Sequence, residues 1–269
     1  MDQSAAKRMT ITTLQNACEQ GEKIAVLTCY DATFAAVLEE AGVDILLVGD
    51  SLGNVVQGKS STLPVTLDEM IYHVRCVERG THRVFIMADM PFGTFQVSPQ
   101  EAFNNAVRLM AAGAQMIKIE GGQHMAETVE FLSCRGIPVC AHIGLMPQFV
   151  HQLGGYRVQG KTPNDARQLR EDALLLQEAG AAMLLMELIP AVLGEEITRL
   201  LSIPTIGIGA GAACSGQVLV LHDMLGISSG TLPRFVRNFM MDADSIQTAV
   251  SNYVEAVKLG AFPAYEHTF

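Results

Sequence analysis

Short continuous apolar runs alternate with longer amphipathic stretches along nearly the whole chain. The runs are Ile24–Thr28, Ile45–Val48, Val84–Ala88, Met116–Ile119, Pro138–Ala141, Met183–Met186 and Pro204–Ile208, with a weaker eighth at Val218–Leu221. Each is too short for a helix and lacks the alternation of a half-exposed strand. Such runs suit strands of a parallel sheet covered on both faces. Helices are predicted between them over Asp31–Ala41, Thr66–Arg79, Ser98–Ala112 and Asn164–Ala179. Thr66 and Glu69 read as a capping box; Ser98, Pro99 and Glu101 read as a helix start. Ala-Gly at 41–42, 112–113 and 179–180 marks the same helix-to-strand junction three times.

Roughly eight strand–helix units in a chain of 269 residues predict a (β/α)8 TIM barrel. An open doubly wound sheet is the second arrangement. No linker or low-complexity segment divides the chain. We therefore expect one domain over residues 1–269, with an N-terminal extension, a helix over Ala243–Leu259 and a tail over Gly260–Phe269. The tail's Phe262, Pro263, Tyr265 and Phe269 suit a docked cap or an oligomer contact.

Composition narrows the function. Charged residues make up 17% of the chain, and 18 Lys+Arg against 28 Asp+Glu leave a net charge of −10. An acidic chain without a basic run is a poor nucleic-acid binder, because that affinity comes from neutralising phosphates. No apolar run approaches the roughly 20 residues of a membrane helix. The first residues, Met-Asp-Gln-Ser-Ala-Ala-Lys-Arg, carry no signal-peptide pattern. The cysteines at 18, 29, 76, 134, 140 and 214 form no C-x-x-C pair and read as structural thiols.

In such a barrel the chemistry sits at the carboxyl ends of the strands. Here those ends carry Asp31, Asp50, Asp89, Glu120, His142 and Glu187. Asp31 immediately precedes a helix and fits an ordinary cap. Asp50, in Val-Gly-Asp-Ser-Leu-Gly, Asp89 and Glu120 fit that role poorly. Clustered carboxylates repel unless a cation neutralises them, and an all-oxygen set favours Mg²⁺, then Mn²⁺. Lys118 and Glu120 lie two apart and share a strand face. They form either a structural ion pair or a site in which Lys118 holds an anionic group beside the metal. Glu187 has apolar neighbours, which suits a general base. His142 either positions a substrate oxygen or is a satisfied core histidine. The glycines at 207, 209 and 211 lack dinucleotide-loop spacing and fit better as a loop that gives substrate room.

Several motifs together resemble the ketopantoate hydroxymethyltransferase (3-methyl-2-oxobutanoate hydroxymethyltransferase) family. They are Val48–Gly53 with Gln57-Gly58, Thr62–Thr66, Ala88–Phe92, Ile117–Gly122, and His142–Leu145 with Pro147-Gln148. Gly154–Tyr156 with Val158–Gly160, Gly207–Gly211 and His222-Asp223 complete the set, which runs in order over nearly the whole chain. The resemblance implies a barrel of the phosphoenolpyruvate/pyruvate-binding type. It implies Mg²⁺-dependent hydroxymethyl transfer from 5,10-methylenetetrahydrofolate to 3-methyl-2-oxobutanoate, giving 2-dehydropantoate on the route to pantothenate and coenzyme A. It places Asp50, Asp89 and Glu120 at the metal, Ser51 and Lys118 on the keto acid, and Glu187 as the base. It also implies a cytoplasmic homo-oligomer, commonly a decamer. One departure is visible: Ser215 stands where the family commonly has Asp. The alternatives are another metal-dependent lyase or aldolase acting on a 2-oxo acid, and a binding protein that kept the barrel without catalysis.

Overall fold

The computed structural model describes residues 8–228, 230 and 232–269. The reading of the first seven residues therefore lies outside the described part. Eight parallel strands close into a barrel in chain order. They are β1 (Ile24–Thr28), β2 (Ile45–Val48), β3 (Phe85–Asp89), β4 (Met116–Glu120), β5 (Val139–Gly144), β6 (Met183–Glu187), β7 (Thr205–Ile208) and β8 (Gly216–Leu219). Closure is carried by β1 on β8, with Ile24 to Leu27 in register with Gly216 to Leu219, which excludes the open sheet.

The strand ends depart from the expected boundaries in one consistent way. β3, β4, β5 and β6 run one to three residues further, so that Asp89, Glu120, His142 and Glu187 belong to the strands. Polar residues at these positions hide the continuation of the ladder. β8 starts two residues earlier than expected, because Gly216 and Gln217 interrupt no ladder. Gln217 is buried and its side-chain amide donates to the Gly211 carbonyl at 3.0 Å. Two helices that the sequence reading did not single out, Ala126–Ser133 and Ala191–Leu200, join the outer ring, and a loop over 209–215 without a helix connects β7 to β8.

Predicted caps form as expected. Thr66 N donates to Glu69 Oε2 at 2.7 Å, and Glu69 N donates back to Thr66 Oγ1 at 3.3 Å. A cap of this kind contributes about 1 kcal/mol. Asp31 Oδ1 accepts from the amides of Thr33 and Phe34 at 2.8 and 2.9 Å, so it is a cap. At the helix-to-strand junctions Gly42, Gly113 and Gly180 have φ of +89°, +122° and +93°, which favours glycine at each.

Strand alternation builds two cores. Inward residues such as Ile24, Val26, Phe85, Met87, Met116, Cys140, Met183 and Leu185 fill the barrel, and Leu14 of the helix Ile11–Glu19 joins them. Outward residues such as Leu27, Leu46, Ile86, Ile117 and Leu184 pack under the helices. The helix Ile246–Lys258 docks on the closing seam, with Tyr253 Oη 2.9 Å from the carbonyl oxygens of both Val26 and Gln217. The six cysteines are free. Burial pushes the thiols of Cys29 and Cys140 up to about 12 and that of Cys214 up to about 11, in keeping with structural thiols. Among the described residues no helix is long and apolar enough to cross a membrane.

Candidate active site

The period of two that fills the barrel with apolar side chains also sets its polar layer. After Phe85 and Met87 the next inward position on β3 is Asp89. After Met116 come Lys118 and Glu120; after Cys140 comes His142; after Met183 and Leu185 comes Glu187. Register then places these groups side by side, with Asp89 opposite Lys118 and Glu120 opposite His142. All five line one cavity of about 1030 Å³ together with Asp50, Ser51, Tyr156 and the residues of its mouth.

The floor is buried and strongly charged. Asp50, Asp89, Lys118, Glu120 and His142 are each at most 5% exposed. Lys118 Nζ lies 2.7 Å from Asp89 Oδ1 and 3.3 Å from His142 Nδ1. Asp89 Oδ2 accepts from the Asp50 amide at 3.0 Å, which ties the loop after β2 to β3. Ser51 Oγ is 2.8 Å from Tyr30 Oη. Burial, then the charges of Asp89 and Glu120, hold the Asp50 carboxyl well above the usual range. Burial pushes Glu120 up to about 7 despite Lys118. Burial works against the Lys118 charge, yet Asp89, Glu120 and Asp50 together carry its pKa above the ordinary lysine value.

Histidine 142 is neutral in this setting, since burial and the nearby Lys118 both lower its pKa. Its Nδ1 faces the ammonium and acts as acceptor, so the proton sits on Nε2. That Nε2 has no hydrogen-bond partner and lies 3.4 Å from Glu187 Oε2. The sequence alternative of a satisfied core histidine therefore gives way to a donor with free capacity at the cavity.

Glu187 is the least buried of the group, with its side chain 14% exposed. The next residue, Leu188, has φ +44°, a left-handed conformation that costs a non-glycine residue about 1–3 kcal/mol. It is held by its amide, which donates to Ile208 O at 2.9 Å, and by its carbonyl, which accepts from Gln159 N at 2.8 Å. Gly144 permits the close approach on the other side: a Cβ there would lie 2.2 Å from the Glu187 carbonyl oxygen. The backbone carrying Glu187 is thus fixed from both neighbouring strands.

One residue of the floor had no role in the sequence reading. Gln148 is 4% exposed, and its amide donates to Glu120 Oε2 at 2.9 Å. Its side-chain nitrogen lies 2.9 Å from both Asp50 Oδ2 and the Met90 carbonyl. It therefore sets the orientation of two acids from different strands. The signal in the sequence was a polar residue directly after Pro147 in a strand-end loop. If these acids hold Mg²⁺, as the sequence leads one to expect, Gln148→Ala should raise the Mg²⁺ concentration giving half-maximal activity about tenfold. An unchanged metal dependence in that variant removes this positioning role.

Two other expectations are corrected or relocated. The glycines at 207, 209 and 211, in β7 and the loop after it, give room to protein rather than to substrate. A Cβ on Gly207 would meet Cys214 Sγ at 2.9 Å, and one on Gly211 would meet Ala191 Cβ at 2.8 Å. Ser215 precedes β8 at the amino end of the barrel, where its Oγ accepts from the Thr205 amide at 3.2 Å. It does not line the cavity, so the departure from the family pattern leaves the site untouched.

Comparisons with known proteins identify the family. The family model described as ketopantoate hydroxymethyltransferase matches residues 8–265. A protein of Nitrosomonas europaea named 3-methyl-2-oxobutanoate hydroxymethyltransferase is 99% identical, covering 100% of both chains. One of the same name from Nitrosomonas eutropha is 82% identical, again over 100% of both. Among solved structures, 2,3-dimethylmalate lyase, a member of the PEP mutase/isocitrate lyase superfamily, superposes with a TM-score of 0.57 at 18% identity. That match covers 94% of this chain and 98% of the other, and it shows the shared barrel. With the match spanning almost every residue described above, the chain belongs to the ketopantoate hydroxymethyltransferase family.

Proposed function

We propose that the chain transfers a hydroxymethyl group from 5,10-methylenetetrahydrofolate to 3-methyl-2-oxobutanoate, with Mg²⁺ as cofactor, giving 2-dehydropantoate for pantothenate and coenzyme A synthesis. The observation that carries this reading is a single cavity holding a buried ammonium, a surplus of buried carboxylates and a more accessible carboxylate, Glu187, at its edge. We place the enzyme in the cytoplasm as one barrel domain per subunit of a homo-oligomer, a decamer by resemblance.

The donor set fits a hard divalent cation. Asp50, Asp89 and Glu120 outnumber Lys118, and at Asp50 burial, then the charges of Asp89 and Glu120, raise the carboxyl pKa. Among the described residues no group of three His, Cys, Asp or Glu side chains stands ready as a cage. Mg²⁺ needs none, since it takes one or two carboxylates and completes its shell with water and substrate oxygens. We assign Asp50 and Asp89 as its direct holders, with Glu120 beside them. When bound, the ion polarises the 2-oxo group and makes the C3–H acidic enough to remove.

The chain's own groups do the rest. Lys118 balances the carboxylate of the keto acid. The proton on His142 Nε2 and the Ser51 hydroxyl orient its oxygens. Glu187 takes the C3 proton and the enolate carbon bonds to the one-carbon unit; water supplies the new hydroxyl oxygen as the unit's bonds to the two donor nitrogens break, and those nitrogens take up the C3 proton and one proton of the water, releasing tetrahydrofolate. The test incubates the protein with both substrates, with and without Mg²⁺. Metal-dependent formation of 2-dehydropantoate is expected; its absence in every condition would sink the proposal.

A further inference from the structure

The cavity is zoned. Its floor carries the charged groups described above, and its outer wall sets apolar and aromatic side chains among polar ones such as Asn54, Ser60 and Asp223. Val56, Tyr156 and Ile227 line it while 46%, 56% and 61% exposed, and Phe235 and Phe269 form part of its wall. Exposed apolar side chains gathered around one concavity mark a binding surface. A volume of about 1030 Å³ exceeds the need of a small 2-oxo acid and matches a drug-sized ligand.

The wall is built rather than incidental. The Ala191 amide donates to the Phe269 carbonyl at 2.9 Å. Gly209, with φ +62°, leaves the space: a Cβ there would lie 3.2 Å from Phe269 Cε2 and 3.3 Å from Phe235 Cβ. Arg234 stands beside the Phe269 ring. Its Nε donates to the Glu266 carbonyl at 2.9 Å, and its guanidinium carbon sits 5.4 Å from the centre of the Phe269 ring. No carboxylate pairs with Arg234 among the described residues. The other cation of the mouth, Lys59, is already engaged with Glu69 at 3.8 Å and the Pro64 carbonyl at 3.2 Å.

We propose that Phe235, Phe269 and Arg234 form the site for the one-carbon donor, the rings taking its flat heteroaromatic portion and Arg234 the carboxylate of its tail. The inference rests on the folate reading above and adds the residues that recognise the donor. Flat rings against aromatic faces and a guanidinium against a carboxylate are the matching chemistries.

The test is steady-state kinetics with 5,10-methylenetetrahydrofolate and with the 5,10-methylenetetrahydropteroyl amide, in which a plain amide replaces the glutamate and no carboxylate remains. Phe235→Ala and Phe269→Ala should raise the donor KM about tenfold. The keto-acid KM and donor-free exchange of the C3 proton should stay at wild-type values. Arg234→Gln should raise the KM for the folate about tenfold and leave that for the pteroyl amide unchanged, with Arg234→Lys recovering part of the loss. Arg234 is exposed, so this variant carries the test even where an aromatic substitution disturbs folding. Unchanged donor KM values, or exchange falling in step with turnover, overturn the assignment. A wild-type protein that does not use methylenetetrahydrofolate overturns the folate reading first, and the wall assignment with it.

Discussion

Glu187→Gln is expected to slow exchange of the C3 hydrogen of 3-methyl-2-oxobutanoate with solvent by about 10²–10⁴-fold, the usual worth of a positioned general base. Turnover should fall with it. Glutamine keeps the shape of the side chain and can still meet His142 Nε2, which lies 3.4 Å from Glu187 Oε2. The ion pair between Lys118 and Asp89 does not involve Glu187, so the floor keeps its charge pattern. Keto-acid and Mg²⁺ binding, read by calorimetry, should therefore survive. Exchange is read by loss of the C3–H proton resonance in D2O, without the donor. Unimpaired exchange would take Glu187 out of the base role and leave it a positioning partner of His142.

The polar layer was legible in the sequence because strand parity is rigid. Once Met116, Lys118 and Glu120 are placed on one strand, their common face follows. The same rule places Asp89 above Met87, and Glu187 above Leu185. Strand ends were less legible, since a ladder continues through polar residues that break an apolar run, as at His142 and Gln217. Loop-borne groups were hidden for a different reason. Gln148 meets Asp50 98 residues away in the chain, and Phe269 reaches Gly209 only through the docking of the tail. No local pattern encodes such contacts. The tail was read as a docked cap or an oligomer contact; Phe262 is 3% exposed within the chain, and the tail's reach into the cavity wall was not foreseen. The left-handed Leu188 is equally invisible, because a leucine gives no local hint of positive φ.

The second large effect separates two roles in the floor. Removing one partner of a buried ion pair usually costs about 3–5 kcal/mol, because the other charge is left uncompensated. The two halves of the Lys118–Asp89 pair are not equivalent here. Lys118→Met leaves Asp50, Asp89 and Glu120 together in a nearly water-free floor without their ammonium. That variant should lose stability in this range. Asp89→Asn instead removes one charge from a cluster already rich in carboxylates, and Lys118 keeps the fields of Glu120 and Asp50. Its stability should fall by only about 1 kcal/mol, the worth of a single hydrogen bond. Metal binding should follow the opposite order. Mg²⁺ should raise the unfolding temperature of Lys118→Met by more than that of the wild type, because an added cation replaces the missing one by mass action. In Asp89→Asn the Mg²⁺ titration, followed with the keto acid present, should weaken by at least about tenfold, because a neutral amide oxygen replaces an anionic carboxylate ligand. A titration that does not move would contradict the assignment of Asp89 as a ligand, and full stability of Lys118→Met without metal would show that the ammonium is not the counter-ion of this floor.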